Sequence, residues 1–166
     1  MFLGKDGERI ALYRKTHLWD PFLKFERLVF AEGAQAPPLV DFMGARIGLL
    51  ICWDVEFPEN CRALALRGAE VVIAIAANCD EFVLSHIVKV RAFENLFHLA
   101  YCNAPGEPFC GSSSVCSPQG TALISLPRAE SIETVEIAPQ GAVWDHVRLR
   151  NPFFQFRRPA LYGAVA

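Results

Sequence analysis

Long apolar runs, an excess of charge of one sign and paired metal-binding motifs are all missing from this sequence of 166 residues. Its 16 Lys and Arg residues nearly balance its 18 Asp and Glu residues, and no basic run occurs, so no nucleic-acid partner is predicted. The longest apolar run, residues 71–77, is too short to cross a bilayer. Charged residues at positions 5, 6, 8 and 9 replace the apolar segment of a secretory signal. We therefore predict a cytoplasmic protein without a membrane partner.

Apolar residues are abundant, at 52% of the chain. That share is too high for disorder and, at this length, is sufficient for one buried core. Six cysteines are present, but no C-x-x-C pair and no zinc-finger spacing occur. Without a secretory signal the thiols are predicted to be reduced, and no metal or organic cofactor is implied. The question is then whether one cysteine is a nucleophile.

The pattern of apolar runs and breakers predicts an α/β fold. Residues 45–51 and 70–77 have the composition of strands buried on both faces. A proline and a glycine bound a helix over residues 58–67 between them. This β-α-β unit predicts parallel strands joined by a right-handed crossover. Apolar residues at helical spacing predict a second helix over residues 84–98.

Shorter elements are predicted on either side of this unit. An Asp-Gly turn at residues 6–7 predicts a hairpin whose first strand is very short, which is typical of a chain that begins partway through a domain. Prolines and a glycine make residues 18–38 irregular. Further strands, of which the last three form a meander, are predicted over 99–103, 112–116, 121–126 and 132–138.

Cys52 stands where the predicted strand 45–51 meets the following helix. This position lies at the edge where α/β sheets bind ligands. The partial positive charge at the start of the helix would also lower the pKa of the thiol. The alternative is a buried cysteine that merely ends an apolar strand.

A basic cluster precedes Cys52 in the sequence. On a strand, Tyr13, Lys15 and His17 would share one face. Lys15 would then occupy a polar cleft, or lie on a solvated edge strand. Glu26 could bond to Lys15 or pair with a surface arginine. Another pair, three residues apart on the second predicted helix, is Arg91 and Glu94, which could form a surface ion pair.

Taken together and in order, these motifs resemble those of the carbon–nitrogen hydrolase (nitrilase) superfamily. The segments that carry the resemblance are residues 13–18, 26, 52–59 (CWDVEFPE), 91–95, 103, 109–113 and 157–162. The resemblance implies an α-β-β-α sandwich. This chain looks like the later portion of that sandwich, so residues 1–166 are expected to form a single hydrolase domain that lacks its N-terminal portion.

The resemblance also implies a Glu-Lys-Cys triad. Cys52 would attack an amide carbonyl and form a thioester, which water hydrolyses to a carboxylic acid after ammonia has left. Lys15 would hold the tetrahedral intermediate, and Glu26 would orient Lys15 or the substrate. The backbone N–H of Trp53 and the side chain of Asn78 are the further oxyanion and substrate-binding candidates.

The family's general-base glutamate lies upstream of the lysine segment, and Glu8, in the hairpin turn, is not given that role. The chain alone is therefore expected to be inactive or only feebly active on amides. Asp54 after the Cys-Trp pair resembles amidases and carbamoylases more than true nitrilases, although nitriles stay possible substrates. Other hypotheses are a non-catalytic remnant that packs against an intact relative, and a Cys–His hydrolase with His17, His86 or His98 as its base.

Members of the family usually dimerise, so the resemblance implies a homo-oligomer. An uncovered apolar sheet face would add to this tendency. The aromatic tail around residues 152–162 is predicted to pack on another subunit, with folding back on its own domain as the alternative. Phe82 and Trp144 are candidates for lining the acyl pocket.

Overall fold

The structure is a computed structural model that describes residues 1–20, 25–139 and 152–163. The strands are β1 (Phe2–Leu3), β2 (Arg9–Ala11), β3 (Leu39–Phe42), β4 (Ala45–Ile51), β5 (Val71–Ala76), β6 (His98–Asn103), β7 (Ser114–Cys116) and β8 (Ala122–Ser125). The α-helices are α1 (Phe25–Val29), α2 (Pro58–Leu66) and α3 (Val88–Asn95). Short 3₁₀ helices cover Cys52–Glu56 and Pro159–Leu161, and a π-helical turn covers Val83–Ile87.

Strands β3 to β8 form one six-stranded sheet in sequence order. Strands β4, β5 and β6 run parallel, whereas β3, β7 and β8 are antiparallel to their neighbours. The predicted β-α-β unit is confirmed, because α2 connects the parallel strands β4 and β5. Strands β1 and β2 form a separate antiparallel hairpin, as the Asp-Gly turn predicted.

Helix α2 packs directly against strand β4. The helix begins at Pro58, where a missing backbone N–H costs nothing. It is followed by Gly68, whose φ of 90° reverses the chain toward β5. Gly48 on β4 allows the close approach, since a Cβ atom there would lie 2.8 Å from a methyl group of Leu64. The packing fixes the end of β4 relative to the start of α2, and the segment between them carries Cys52.

One face of the sheet forms the core with α2 and α3. The buried cluster on that face includes Leu50, Cys61, Leu64, Val72, Ala74, Val88, Ala92, Leu99 and Tyr101. On the opposite face most side chains of β4 and β5 are only partly buried, and Ile75 is 54% exposed. The prediction that the apolar strands are buried on both faces is therefore wrong for the described residues, because α2 and α3 both pack on the first face.

The second predicted helix ends earlier than its apolar pattern suggested. Helix α3 stops at Asn95, Leu96 has a left-handed φ of 52°, and β6 begins at His98. The apolar spacing continues to Leu99 because the chain reversal is itself buried, with Leu96 and Phe97 at 2% and 0% exposure. None of the helices within the described ranges is long and apolar enough to span a membrane.

Two other predictions need correction. Residues 18–38 include the short helix α1, so they are not wholly irregular. Residues 132–138 do not form the third strand of the meander; they run unpaired and mostly exposed after β8. The composition of this segment is β-like, but among the described residues no strand lies beside it to accept or donate backbone hydrogen bonds.

The described part of the tail folds back on its own domain. The Phe153 ring contacts Phe93 of α3 with centroids 5.6 Å apart, and the Arg62 guanidinium of α2 lies 5.0 Å from the centroid of Phe154. These contacts match the alternative to packing on another subunit, although Phe156 is 76% exposed. Trp144 lies outside the described residues.

Candidate active site

Cys52 lies at the carboxyl end of β4, at the edge where the parallel strands β4, β5 and β6 all end. It begins the 3₁₀ helix Cys52–Glu56, which we call the cysteine turn. Its φ is 50°, a left-handed conformation that costs a non-glycine residue about 1–3 kcal/mol. This sharp exit from the strand brings Cys52 into the lining of a cavity of about 680 Å³.

Lys15 and Glu26 line the same cavity and bond to each other. Lys15 Nζ donates to both Glu26 oxygens, at 2.8 and 2.6 Å, and the two side chains are only 11% and 22% exposed. Glu26 Oε2 also accepts the Trp19 backbone N–H at 2.7 Å, while Asp20 Oδ1 accepts the Glu26 backbone N–H at 3.1 Å. The structure thus brings an ordered lysine–glutamate pair to the cavity of Cys52.

Asp54 connects the cysteine turn to the basic cluster, and sequence reasoning missed this role. Its side chain is fully buried. Its oxygens accept hydrogen bonds from Tyr13 Oη at 2.8 Å, Thr16 Oγ1 at 3.1 Å, the His17 backbone N–H at 3.0 Å and the Ile51 backbone N–H at 3.1 Å. His17 Nδ1 lies 3.1 Å from the same carboxyl group. The segment that carries Lys15 is therefore anchored to the turn that carries Cys52.

This anchoring corrects the predicted geometry of the basic cluster. Residues 12–15 do not form a strand, and Tyr13, Thr16 and His17 all turn toward Asp54. Lys15 leaves in a different direction, to Glu26. The predicted alternation of side chains between two strand faces is therefore wrong, because the buried Asp54 accepts hydrogen bonds from residues of both faces. The solvated-edge alternative for Lys15 is also wrong, because Lys15 pairs with Glu26 in the cavity.

Arg91 forms the ion pair with Glu94 that its spacing predicted, but its side chain is buried and does not lie on the surface. Its Nε donates to the Val55 carbonyl and one terminal nitrogen donates to the Glu56 carbonyl, each at 2.9 Å. The other terminal nitrogen bonds Glu94 at 2.8 Å. The arginine therefore ties α3 to the end of the cysteine turn. The i, i+3 spacing of the two charges does not predict the hydrogen bonds from Arg91 to the cysteine turn.

Asn78 follows β5 and is buried, and it does not line the cavity. Its side-chain nitrogen donates to Tyr101 Oη at 3.2 Å, and its backbone carbonyl accepts from Asn103 Nδ2 at 3.0 Å. Burial and nearby Asp80 raise the pKa of Glu56, whereas Trp53 and Asn78 act in the opposite direction. A direct substrate contact from Asn78 stays a prediction, and its observed contacts hold the strand ends together.

Burial raises the pKa of the Cys52 thiol. The positive charge of Lys15 and hydrogen bonds from the backbone of Ala77 and Trp53 act in the opposite direction, whereas Glu26 adds to the rise. The prediction of a lowered pKa is therefore wrong. Helix α2 begins only at Pro58, beyond the cysteine turn, and loss of solvation outweighs the favourable contacts.

The three histidines proposed as alternative bases lie elsewhere among the described residues. His17 bonds Asp54 and stacks on Phe57 at 3.9 Å, and His86 stacks on Phe82 at 4.7 Å. His98 is buried in β6, where desolvation lowers its pKa. None of the three lines the cavity of Cys52. Within the described ranges, no three Cys, His, Asp or Glu side chains are grouped so as to hold a metal ion.

Comparison with known proteins shows the family of this chain. The model of the carbon-nitrogen hydrolase family matches residues 1–143. The chain belongs to the carbon-nitrogen hydrolase family. This confirms the resemblance that the motifs indicated.

Relatives of this carbon-nitrogen hydrolase chain include enzymes and solved structures. It is 40% identical to a Pseudomonas protegens protein described as a hydrolase in the pqqF 5' region, over 99% of the chain and 58% of that protein. It is 40% identical to an (R)-stereoselective amidase from a Pseudomonas species, over 78% of the chain and 48% of the relative.

A solved amidase from Nesterenkonia sp. AN1 shares the fold, with a TM-score of 0.85 and 32% identity over 99% of this chain and 59% of that one. That structure is a mutant with the acetamide moiety of fluoroacetamide attached covalently to its active-site cysteine. The predicted α/β class is confirmed by these neighbours. The chain spans only 48–59% of the length of these three proteins.

Proposed function

We propose that this protein hydrolyses the carbon–nitrogen bond of a small amide or N-carbamoyl compound through a thioester on Cys52. The observation that carries the proposal is the shared cavity, which Cys52, Lys15 and Glu26 line together. A nucleophile, an ordered cation and a carboxylate in one recess are the groups that acyl transfer needs. Membership of the family and its amidase relatives support the reaction class.

The proposed chemistry assigns one task to each group. The Cys52 thiol loses its proton as its sulfur attacks the carbonyl carbon, and that proton goes to the leaving nitrogen, which departs as ammonia when the carbon–nitrogen bond breaks. Lys15 carries three N–H donors and gives two of them to Glu26, so one remains for the oxyanion beside the backbone N–H of Trp53. Water then adds to the thioester, releases a carboxylic acid and restores the thiol.

The rest of the cavity supports a small acyl group. Its described lining is mainly apolar and includes Leu18, Val29, Phe30, Ala31, Ile51, Ile75, Ala76 and Ala77. Such a lining favours aliphatic carbon chains close to the reacting carbonyl. The volume of about 680 Å³ lies in the range of small-molecule sites.

The test measures ammonia released from acetamide, butyramide, an N-carbamoyl amino acid and butyronitrile, with Cys52→Ala as the blank. Because the sequence predicts little turnover from this chain alone, acyl groups on Cys52 are counted by mass spectrometry in parallel. We expect Cys52-dependent ammonia or a Cys52 acyl adduct from an amide or carbamoyl compound. Ammonia release from the nitrile alone would favour the nitrilase alternative. The absence of both ammonia release and a Cys52 adduct would favour a non-catalytic remnant.

The pH at which Cys52 becomes reactive should depend on its two charged neighbours, Lys15 and Glu26. Lys15 lowers the thiol pKa and Glu26 raises it. Lys15→Met should therefore shift the pH profile of alkylation to higher pH. Glu26→Gln should move it downward, because the thiolate then forms at lower pH. The measurement is the rate of Cys52 alkylation by iodoacetamide between neutral and alkaline pH.

Lys5→Met, at an exposed lysine in the hairpin turn, is the matched control and should leave the pH profile in place. Shifts in the same direction for Lys15→Met and Glu26→Gln would contradict the assigned electrostatics. The sign of each shift is informative even if the chain turns over slowly, because alkylation needs only the thiolate.

We also propose that the protein self-associates. Part of the second sheet face is apolar and open, as the 54% exposure of Ile75 shows, and Leu28, Val29 and Phe30 at α1 are 80%, 61% and 60% exposed. Burial stabilises by about 25 cal/mol per Å² of apolar surface. Sedimentation at micromolar concentration should show dimers or larger species, and a stable monomer would contradict the proposal. A cytoplasmic location likewise stays a prediction.

A further inference from the structure

Cys79 and Cys110 are cysteines that the proposed chemistry leaves unused, and they lie next to each other in the fold. Cys79 follows β5 and is exposed, whereas Cys110 lies in the connection between β6 and β7 and is only 5% exposed. The Cys110 backbone N–H donates to the carbonyl of Asn78 at 3.0 Å. Since Asn78 directly precedes Cys79 in the chain, this hydrogen bond brings the backbones of the two cysteines together.

The buried side chain of Asn103, at the end of β6, holds the same two segments. Its Nδ2 donates to the Asn78 carbonyl at 3.0 Å and to the Gly111 carbonyl at 2.9 Å. Its Oδ1 accepts the Asn78 backbone N–H at 2.7 Å. Asn78 is the neighbour of Cys79 in the chain, and Gly111 is the neighbour of Cys110. The backbone positions of both cysteines are therefore fixed by hydrogen bonds to one side chain.

This separation suits a disulfide bond. Backbones joined by a hydrogen bond lie about 5 Å apart, and a disulfide connects Cα atoms about 4.4–6.8 Å apart. The two thiols also influence each other, because the pKa of Cys110 is raised by burial and then by the charge of Cys79. An exposed thiol beside a buried one gives a reagent from solution access to one member of the pair.

We propose that Cys79 and Cys110 form a site of reversible oxidative modification, at which a small disulfide such as oxidised glutathione converts the two thiols into one disulfide bond. The Cys79 thiolate attacks one sulfur of oxidised glutathione, so a mixed disulfide forms and one glutathione thiolate leaves. The Cys110 thiolate then attacks the Cys79 sulfur and displaces the second glutathione. The cysteines lose two electrons and two protons, and oxidised glutathione becomes two molecules of reduced glutathione.

The order of the two steps follows from access. Thiol–disulfide exchange requires that the attacking sulfur reach the disulfide, and oxidised glutathione can approach the exposed Cys79 but not the buried Cys110. Cys110 therefore acts as the resolving thiol. Cys52 takes no part in the exchange, so the inference is independent of the proposed hydrolysis.

The test incubates the full chain with oxidised glutathione, blocks the remaining thiols with iodoacetamide and maps the peptides by mass spectrometry without reduction. We expect a peptide that links Cys79 to Cys110 within one chain and that dithiothreitol separates. Cys102 is exposed as well and serves as the internal reference, because it is expected to carry glutathione without proceeding to a bond with either member of the pair.

Variants assign the two steps. Cys79→Ser should leave Cys110 as a free thiol, since burial shields it from glutathione. Cys110→Ser should leave Cys79 trapped as the mixed disulfide with glutathione. Cys102→Ser is the matched control and should form the linked peptide in the same yield as the unaltered chain.

Unfolding in urea gives a second readout of the same bond. The oxidised chain should unfold at a higher urea concentration than the reduced chain, because the bond restricts the unfolded state. Cys79→Ser should show no such difference between oxidising and reducing conditions. Its side chain is exposed, so the variant is expected to fold.

Three results would overturn the inference. One is a folded chain in which Cys79 keeps glutathione and no linked peptide forms. Another is a linked peptide that forms only in urea or only in covalent dimers. The third is linkage of Cys79 to Cys102 or Cys52 in equal yield. None of these measurements needs amide turnover, so failure of the proposed hydrolysis would leave their outcome unchanged.

Discussion

Fluoroacetamide is expected to transfer its acetamide group to Cys52 in preference to every other cysteine of the chain. The thiolate displaces fluoride, a poor leaving group, so the reaction needs a site that binds the amide and stabilises charge. Cys52 has Lys15 and Glu26 in the same cavity. Cys61 is buried in the core, where desolvation raises its pKa to about 12, and Cys102 is exposed but does not line the cavity.

Peptide mass spectrometry after incubation with fluoroacetamide is the measurement. Cys52→Ala should remove the label, and Lys15→Met should slow labelling by about tenfold or more, because loss of the positive charge that lowers the Cys52 pKa reduces the thiolate fraction. Cys102→Ser is the matched control, since it removes an exposed thiol on the same sheet and should leave Cys52 labelling unchanged. Equal labelling of Cys102 and Cys52 would show that the cavity gives the nucleophile no advantage.

Asp54→Ala is expected to lower the free energy of unfolding by about 3 kcal/mol or more. The variant leaves the donors of Tyr13, Thr16, His17 and Ile51 without their shared acceptor, and each buried unsatisfied donor costs about 1–3 kcal/mol. The segment that carries Lys15 would also lose its anchor to the cysteine turn. Labelling of Cys52 by fluoroacetamide should therefore slow as well.

Urea denaturation measures the first effect, through a lower transition midpoint at unchanged slope. Asp54→Asn, which keeps the shape but replaces one acceptor by a donor, should lose less stability than Asp54→Ala. Asp41→Ala is the control: its side chain on β3 is 88% exposed, so a change within about 0.5 kcal/mol is expected. If Asp54→Ala were as stable as Asp41→Ala, the network would not hold the site together.

Local patterns were sufficient for the parts of the fold that depend on near neighbours. The apolar runs 45–51 and 70–77 predicted β4 and β5, and Pro58 and Gly68 bounded α2 to within a residue. A cysteine directly after β4 was thus predictable at the carboxyl edge of the sheet. Each of these inferences needs only periodicity, turn chemistry and the handedness of a parallel crossover.

What sequence patterns missed depends on partners distant along the chain. Asp54 gathers donors from residues 37 to 41 positions earlier, and Arg91 reaches carbonyls 35 and 36 positions before it. Helical spacing of charges predicts pairs within one helix and is silent about such contacts. Apolar runs likewise report hydrophobicity without showing which sheet face a helix covers. Strand composition therefore did not predict the open second face, which was expected only from the resemblance to a sandwich that lacks its N-terminal portion.

Because the backbone at Cys52 is left-handed, protein stability and chemistry favour different residues at this position. Glycine would adopt this φ without strain, so a substitution that stabilises the backbone here would also remove the thiol. A lineage that no longer needed the reaction would be free to take that step, whereas one that keeps the cysteine goes on bearing its conformational cost. The residue found at position 52 among close relatives is therefore an indicator of whether the chemistry is still under selection.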